Sequence, residues 1–267
     1  KIGEKIQLAR KLFRDAIQRY NYNGKYVYCY CTKSSHFSFI LNEVLENGTQ
    51  LETSSAFDIE LIWKLYKQGR INKGTIIVNN GYKPRLYAEK IAGLINEGFT
   101  NVIPVCDNAD ELNHYEELIN KKTTCKIGLR MATEEEPNFE FYTSRLGIRQ
   151  SELITFYKDK IAKNPKFELK MLHFFVDVGI KDSIYYWSEL KRGIKTYCQL
   201  RKLCPTLTCL NIGGGLPIRN SLGFEFDYGY MISEIVRLIK EYCDSEGVPE
   251  PDIYSEFGKY TVGESGA

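Results

Sequence analysis

From one end of the 267-residue chain to the other, short runs of β-branched and aromatic residues alternate with stretches whose apolar residues recur every three or four positions. The short runs predict strands at Tyr26–Cys31, Gln50–Ser54, Thr75–Asn79, Asn101–Cys106, Lys126–Met131, Leu169–Asp177, Leu207–Ile212 and Asp252–Glu256. Between them the three-to-four spacing predicts amphipathic helices, because residues so spaced share one face. The clearest carries Trp187, Leu190, Ile194 and Tyr197, with Leu200 and Leu203 continuing the stripe. Others carry Ile91, Leu94 and Ile95, then Leu112, Tyr115 and Ile119, then Met231, Ile235 and Ile239. An opening helix with Ile2, Ile6, Ala9, Phe13 and Ile17 precedes the first strand and is expected on the barrel exterior or across its base.

Eight strand–helix units in about 250 residues match a TIM (β/α)8 barrel, an α/β fold, whereas an open doubly wound sheet usually has fewer strands. The expected layout is a helix over residues 1–24 leading into a barrel over 25–267. In such a barrel the chemistry sits where strands end and loops begin.

With 43% hydrophobic residues the chain can bury a large core. Lys and Arg number 36 against 34 Asp and Glu, too balanced for the phosphate-neutralising surface that nucleic-acid binding needs. The longest apolar runs, such as Met171 to Val176, fall far short of the roughly 20 residues of a membrane helix. The charged start Lys1-Ile2-Gly3-Glu4-Lys5 lacks an apolar signal core, and a cytoplasmic location is expected. The eight cysteines show no Cys-x-x-Cys pair and do not cluster with His36, His114 or His173, so the expectation is reduced packing thiols, isolated imidazoles and no metal.

Charged and glycine-rich positions near predicted strand ends are the candidates for chemistry. Lys33 follows the first strand by two residues, and Glu52 lies at the second. Arg130 ends the fifth, and Glu256 with Gly258 and Lys259 ends the eighth. Gly213, Gly214 and Gly215 end the seventh, where bare backbone can approach an anion. Each has a plain reading as a surface lysine, a tight turn or a barrel ion pair. Together, an amine, a phosphate cradle and a carboxylate are what pyridoxal 5′-phosphate requires.

At these residues the sequence resembles the alanine-racemase-like, fold type III pyridoxal-phosphate decarboxylases, and more narrowly the biosynthetic arginine decarboxylases. The likeness spans nearly the whole chain. It rests on Leu51-Glu52-Thr53-Ser54-Ser55, Asn80-Gly81-Tyr82-Lys83-Pro84, Leu172-His173-Phe174, Gly213-Gly214-Gly215-Leu216, Gly247-Val248-Pro249-Glu250-Pro251 and Ser255-Glu256-Phe257-Gly258-Lys259. The resemblance implies that Lys33 forms the Schiff base and that Glu256 partners the pyridine nitrogen. It implies too that Gly213 to Gly215 and Gly258 face the phosphate, that Arg130 lies near the phenolic oxygen, and that Glu52 organises the lysine and arginine. Ser55 occupies a family serine position, while Asp58 stands where a glutamate is usual. The family histidine that stacks on the ring is Phe175, a following serine is Val178, and the eighth-strand arginine is Lys259. Phe175 keeps a ring without a hydrogen bond, and Lys259 keeps charge without the guanidinium fork.

The family continues past this point into a C-terminal β-rich domain, so the chain is expected to be a truncated barrel that forms a homodimer or higher homo-oligomer through that missing part. The function so implied is decarboxylation of a basic amino acid, arginine to agmatine in polyamine biosynthesis. Alternatives are a diaminopimelate, ornithine/lysine or carboxynorspermidine decarboxylase, a racemase, or a non-catalytic decarboxylase-like regulator.

Overall fold

The computed structural model describes residues 1–133, 146–176, 183–218 and 225–264. The chain runs α1 (Ile2–Arg19), β1 (Tyr26–Cys31), a 3-10 turn (Thr32–Ser34), α2 (Ser38–Glu46), β2 (Gln50–Thr53), α3 (Ala56–Lys67), β3 (Ile77–Asn79), α4 (Arg85–Asn96), β4 (Val102–Cys106) and α5 (Asp110–Leu118). It continues through β5 (Cys125–Arg130), α6 (Gln150–Phe156) with a π-helical extension (Tyr157–Ile161), β6 (Phe167–His173), α7 (Ser183–Leu203), β7 (Cys209–Asn211), α8 (Tyr228–Glu246), β8 (Asp252–Ser255) and α9 (Gly258–Val262). Each strand pairs in parallel with the next, and β8 returns to β1 to close an eight-stranded barrel.

The strand ends differ from the pattern for identifiable reasons. The β3 ladder begins at Ile77 because the Gln50 side chain takes the Ile76 N–H at 2.7 Å, where a neighbouring strand would otherwise bond. β6 stops at His173 although the apolar run goes on, and the Phe174 N–H still reaches the Asn211 carbonyl. Asp177 and Val178 lie outside the described residues. At the end of α7, Leu203 is exposed rather than part of the buried stripe.

α1 resolves where the opening helix goes. It packs on α8, α2 and β1, with Phe13 stacked on Tyr26 at 3.8 Å and near Phe257, so it covers the outside of the β8–β1 seam. The helix after β8 is only five residues long, and α1 fills the place a full eighth helix would take.

Strand alternation divides the interior in two. One set of side chains faces the helices, while Cys29, Val78, Ile103, Val105, Met171, Cys209 and Tyr254 pack together inside the barrel. Gly128 belongs to this inner layer, since a Cβ there would lie 3.0 Å from Val105 and 3.4 Å from Met171. The inner layer is apolar and closed. All eight cysteines are free and buried, and among the described residues no helix is long and apolar enough to cross a membrane.

Candidate active site

Because strand side chains alternate, the residue two positions beyond each inner-layer member faces the same axis at the C-terminal mouth. That rule carries Cys29 to Cys31, Val78 to Asn80, Val105 to Asp107, Gly128 to Arg130, Met171 to His173, Cys209 to Asn211 and Tyr254 to Glu256. On β2 it carries Gln50 to Glu52. A polar ring therefore stands directly on an apolar plug.

Glu256 is its centre. Oε1 accepts from Asn211 Nδ2 at 2.6 Å and from Asn80 Nδ2 at 2.8 Å, while Oε2 lies 3.4 Å from His173 Nε2. Burial opposes its charge, but His173 and the two amides outweigh that cost and hold its pKa well below the usual carboxylate range. Glu256 is thus a buried anion supplied with donors. His173, expected as an isolated imidazole, is part of this cluster instead.

Glu52 is the contrasting acid. It is fully buried, Oε1 accepts from Ser54 Oγ at 2.7 Å, and Oε2 has no hydrogen-bond partner among the described residues. Burial raises its pKa, the nearby Glu256 charge adds to the rise, and Lys33 only partly offsets both. The unfolded chain loses this proton at lower pH than the folded one, so Glu52 costs stability once pH passes the ordinary glutamate value. Glu52→Gln is therefore expected to stabilise the cofactor-free protein by about 1 kcal/mol near neutral pH. The gain should grow as pH rises from the ordinary to the raised pKa and vanish below both; urea midpoints at several pH values check it.

Lys33 follows β1 on the 3-10 turn and is exposed at the mouth. Among the described residues its amine is locked in no ion pair or hydrogen bond. Burial lowers the pKa of its ammonium, yet Glu52, Cys31 and Glu256 together outweigh burial and leave it raised. A free, reachable amine flanked by two carboxylates results.

Arg130 points across the mouth, its guanidinium 5.9 Å from the Phe175 ring centre and its Nε 4.0 Å from Asp107. Both oxygens of buried Asp107 lack hydrogen-bond partners among the described residues. Below it, Lys83 is completely buried and bonds the Gly81 and Val105 carbonyls and Glu111. Since removing one partner strands the other charge, Lys83→Met should cost about 3–5 kcal/mol in chemical denaturation, and adding Glu111→Gln should recover part of it.

The glycine loop is narrower than three open amides. Gly213 takes φ 69° and gives its N–H to Asn211 Oδ1 at 2.9 Å, while Gly258 gives its N–H to the Glu256 carbonyl. Among the described residues the N–H groups of Gly214 and Gly215 make no hydrogen bond. A Cβ at Gly214 would lie 2.7 Å from the Glu256 backbone oxygen, so the close approach of the β7 and β8 loops requires glycine there. Gly258 serves packing of the same kind, beside Ser34 and Cys31.

Two expected residues stand apart. Ser55 caps α3 by accepting the Asp58 N–H, while the Asp58 carboxylate takes the Ser54 N–H, a reciprocal pair that sets the start of the helix. Lys259 is exposed on α9, outside the Glu256 cluster. Among the described residues no group of His, Cys, Asp and Glu could hold a metal ion.

Pyridoxal phosphate fits what is present. An unlocked amine, two unbonded glycine amides and a buried carboxylate with acceptor capacity remaining face one mouth, and Glu52 Oε2 and both Asp107 oxygens await partners. Lys33 would hold the aldehyde, Gly214 and Gly215 the phosphate, and Glu256 the ring nitrogen.

The family model for the pyridoxal-binding domain of pyridoxal-dependent decarboxylases matches residues 4–263. The biosynthetic arginine decarboxylase of Prochlorococcus marinus (strain AS9601) is 25% identical over 278 aligned positions, covering 98% of this chain and 42% of that protein. The chain thus spans less than half the length of such relatives. The crystal structure of the biosynthetic arginine decarboxylase from Campylobacter jejuni superposes with a TM-score of 0.78 at 22% identity, over 97% of this chain and 44% of that one. Diaminopimelate decarboxylase from M. jannaschii gives 0.78 at 15% identity, over 97% and 60%.

Proposed function

The chain belongs to the pyridoxal-dependent decarboxylases, as their pyridoxal-binding domain, and from that premise we propose that the full-length protein decarboxylates a basic amino acid, arginine to agmatine. The observation that carries the reading is the opposed treatment of two carboxylates beside one free amine: Glu256 is held anionic by three donors, and Glu52 is left proton-hungry next to Lys33.

Pyridoxal phosphate, when bound, supplies an aldehyde that condenses with amines and a ring that accepts the electron pair left when carbon dioxide departs. The residues of this chain do the rest. Glu256 holds a proton on the ring nitrogen, which makes the ring a strong acceptor. Lys33 must shed its proton before it can act as a nucleophile, and Glu52, whose raised pKa suits an acceptor and whose charge acts on Lys33, would be the group to take it. Arg130 offers positive charge at the mouth, held from behind by Asp107. Phe175 lies between Arg130 and the glycine loop, with a ring carbon 3.0 Å from where a Gly213 Cβ would stand, and forms an apolar wall.

Arginine is favoured over lysine or diaminopimelate because the first curated relatives all carry the arginine name, at 24–27% identity. Homo-oligomer formation and a place in polyamine biosynthesis belong to the same reading. The test incubates full-length protein and pyridoxal phosphate with arginine, lysine, ornithine and diaminopimelate. Agmatine as the dominant amine is expected, with a near-visible absorption band. A different dominant amine would shift the substrate; no band and no amine would favour the regulatory alternative.

A further inference from the structure

Three donors converge on Glu256, but they do not do the same work. Two side-chain amides, Asn80 from the β3 end and Asn211 from β7, both bond Oε1. A carboxylate oxygen has two lone pairs, so Oε1 is saturated. Among the described residues Oε2 receives only His173, which leaves one acceptor site open there.

His173 is itself 1% exposed, and its Nδ1 faces no hydrogen-bond partner among the described residues. An ionised carboxylate oxygen only accepts, so the hydrogen between the two groups sits on Nε2, which donates it to Glu256. Among the described residues Glu52, Lys33 and the thiols of Cys29 and Cys31 also feel the Glu256 charge, and none of them donates a hydrogen bond to either carboxylate oxygen. The Cys31 thiol goes to the Glu256 backbone carbonyl instead.

We propose that His173 is the positioning residue of Glu256, donating to Oε2 so that this oxygen is held with one open acceptor site toward the ring nitrogen, while Asn80 and Asn211 anchor Oε1. The proposal rests on the reading of Glu256 as partner of that nitrogen. It separates His173 from an ordinary buried histidine, whose loss would weaken every ligand alike.

The test uses full-length protein and two ligands, pyridoxal phosphate and its carbocyclic analogue in which the ring nitrogen is C–H. Equilibrium dissociation constants for both are measured in the unmodified protein and in His173→Leu, His173→Asn, His173→Gln and Glu256→Gln. The unmodified protein should prefer pyridoxal phosphate. His173→Leu should reduce that preference about tenfold while leaving analogue binding within a factor of about two. His173→Asn, whose shorter amide does not reach Glu256, should behave like His173→Leu and replaces it if the latter fails to fold. His173→Gln keeps a longer donor and should recover most of the preference. If Glu256→Gln loses the preference and the donor-deleting His173 variants keep it, the role of His173 is overturned and that of Glu256 stands. If Glu256→Gln keeps the preference, both fall.

Discussion

Borohydride treatment of full-length protein loaded with pyridoxal phosphate is expected to fix the label on the peptide containing Lys33, and Lys33→Ala is expected to lower turnover by roughly three orders of magnitude or more, about 4 kcal/mol of barrier. The expectation follows from where the amine stands. Lys33 sits on a short 3-10 turn just beyond β1, exposed to the mouth and without a locking partner among the described residues. Lys83, the other lysine near the strand ends that matters structurally, is completely buried with three acceptors around it and cannot be released without breaking an ion pair. Because its surroundings, Glu52 foremost, keep the Lys33 pKa above its ordinary value, covalent capture of the aldehyde should speed up as pH rises toward that pKa. Label on a different lysine, or turnover that survives Lys33→Ala, would remove Lys33 from the reaction.

The second large effect belongs to Glu256. Glu256→Gln should still bind pyridoxal phosphate, weakened about tenfold, but lose turnover by about two to four orders of magnitude. A glutamine cannot hold the ring nitrogen protonated, and the interaction lost is needed most as the carboxylate leaves. Since the surrounding donors keep the pKa of Glu256 well below normal, it stays ionised through neutral and mildly acidic pH. The acid limb of the pH–rate profile should therefore come from other groups. Stopped-assay measurement of amine product, with binding followed by absorbance in parallel, separates the two terms. Near-normal turnover in Glu256→Gln would exclude the electron-sink role.

The motifs that made the chain recognisable do different physical jobs. Asn80-Gly81-Tyr82-Lys83 is chemical at one end and structural at the other: Asn80 bonds Glu256, Gly81 takes φ 75°, and Lys83 ties two loop carbonyls to Glu111. Gly247-Val248-Pro249-Glu250-Pro251 lies just before β8, away from the mouth. Gly247 ends α8 at φ 64°, Tyr197 and Tyr22 donate to the Pro249 and Pro251 carbonyls, and Glu250 pairs with Lys240. This segment carries family likeness through stability rather than chemistry, as expected for the barrel's N-terminal face.

The sequence by itself determined the eight strands, their parallel order and the barrel, because hydrophobic periodicity is a local property and βα alternation leaves few ways to bury both faces of a strand. It also pointed to Lys33, Glu52, Arg130 and Glu256, since charges next to apolar strands are conspicuous. What only the tertiary structure decided is which groups meet. Asn80 and Glu256 are 176 positions apart, and Asn211 and His173 reach the same carboxylate from two further strands. Their side chains have no local signature of function: an amide or a lone imidazole at a strand end is common, and its role depends on the strand across the axis. Closure also decided that α1 covers the β8–β1 seam. Periodicity assigns a residue to a face; only the closed ring, with its register of parallel pairs, assigns it a partner.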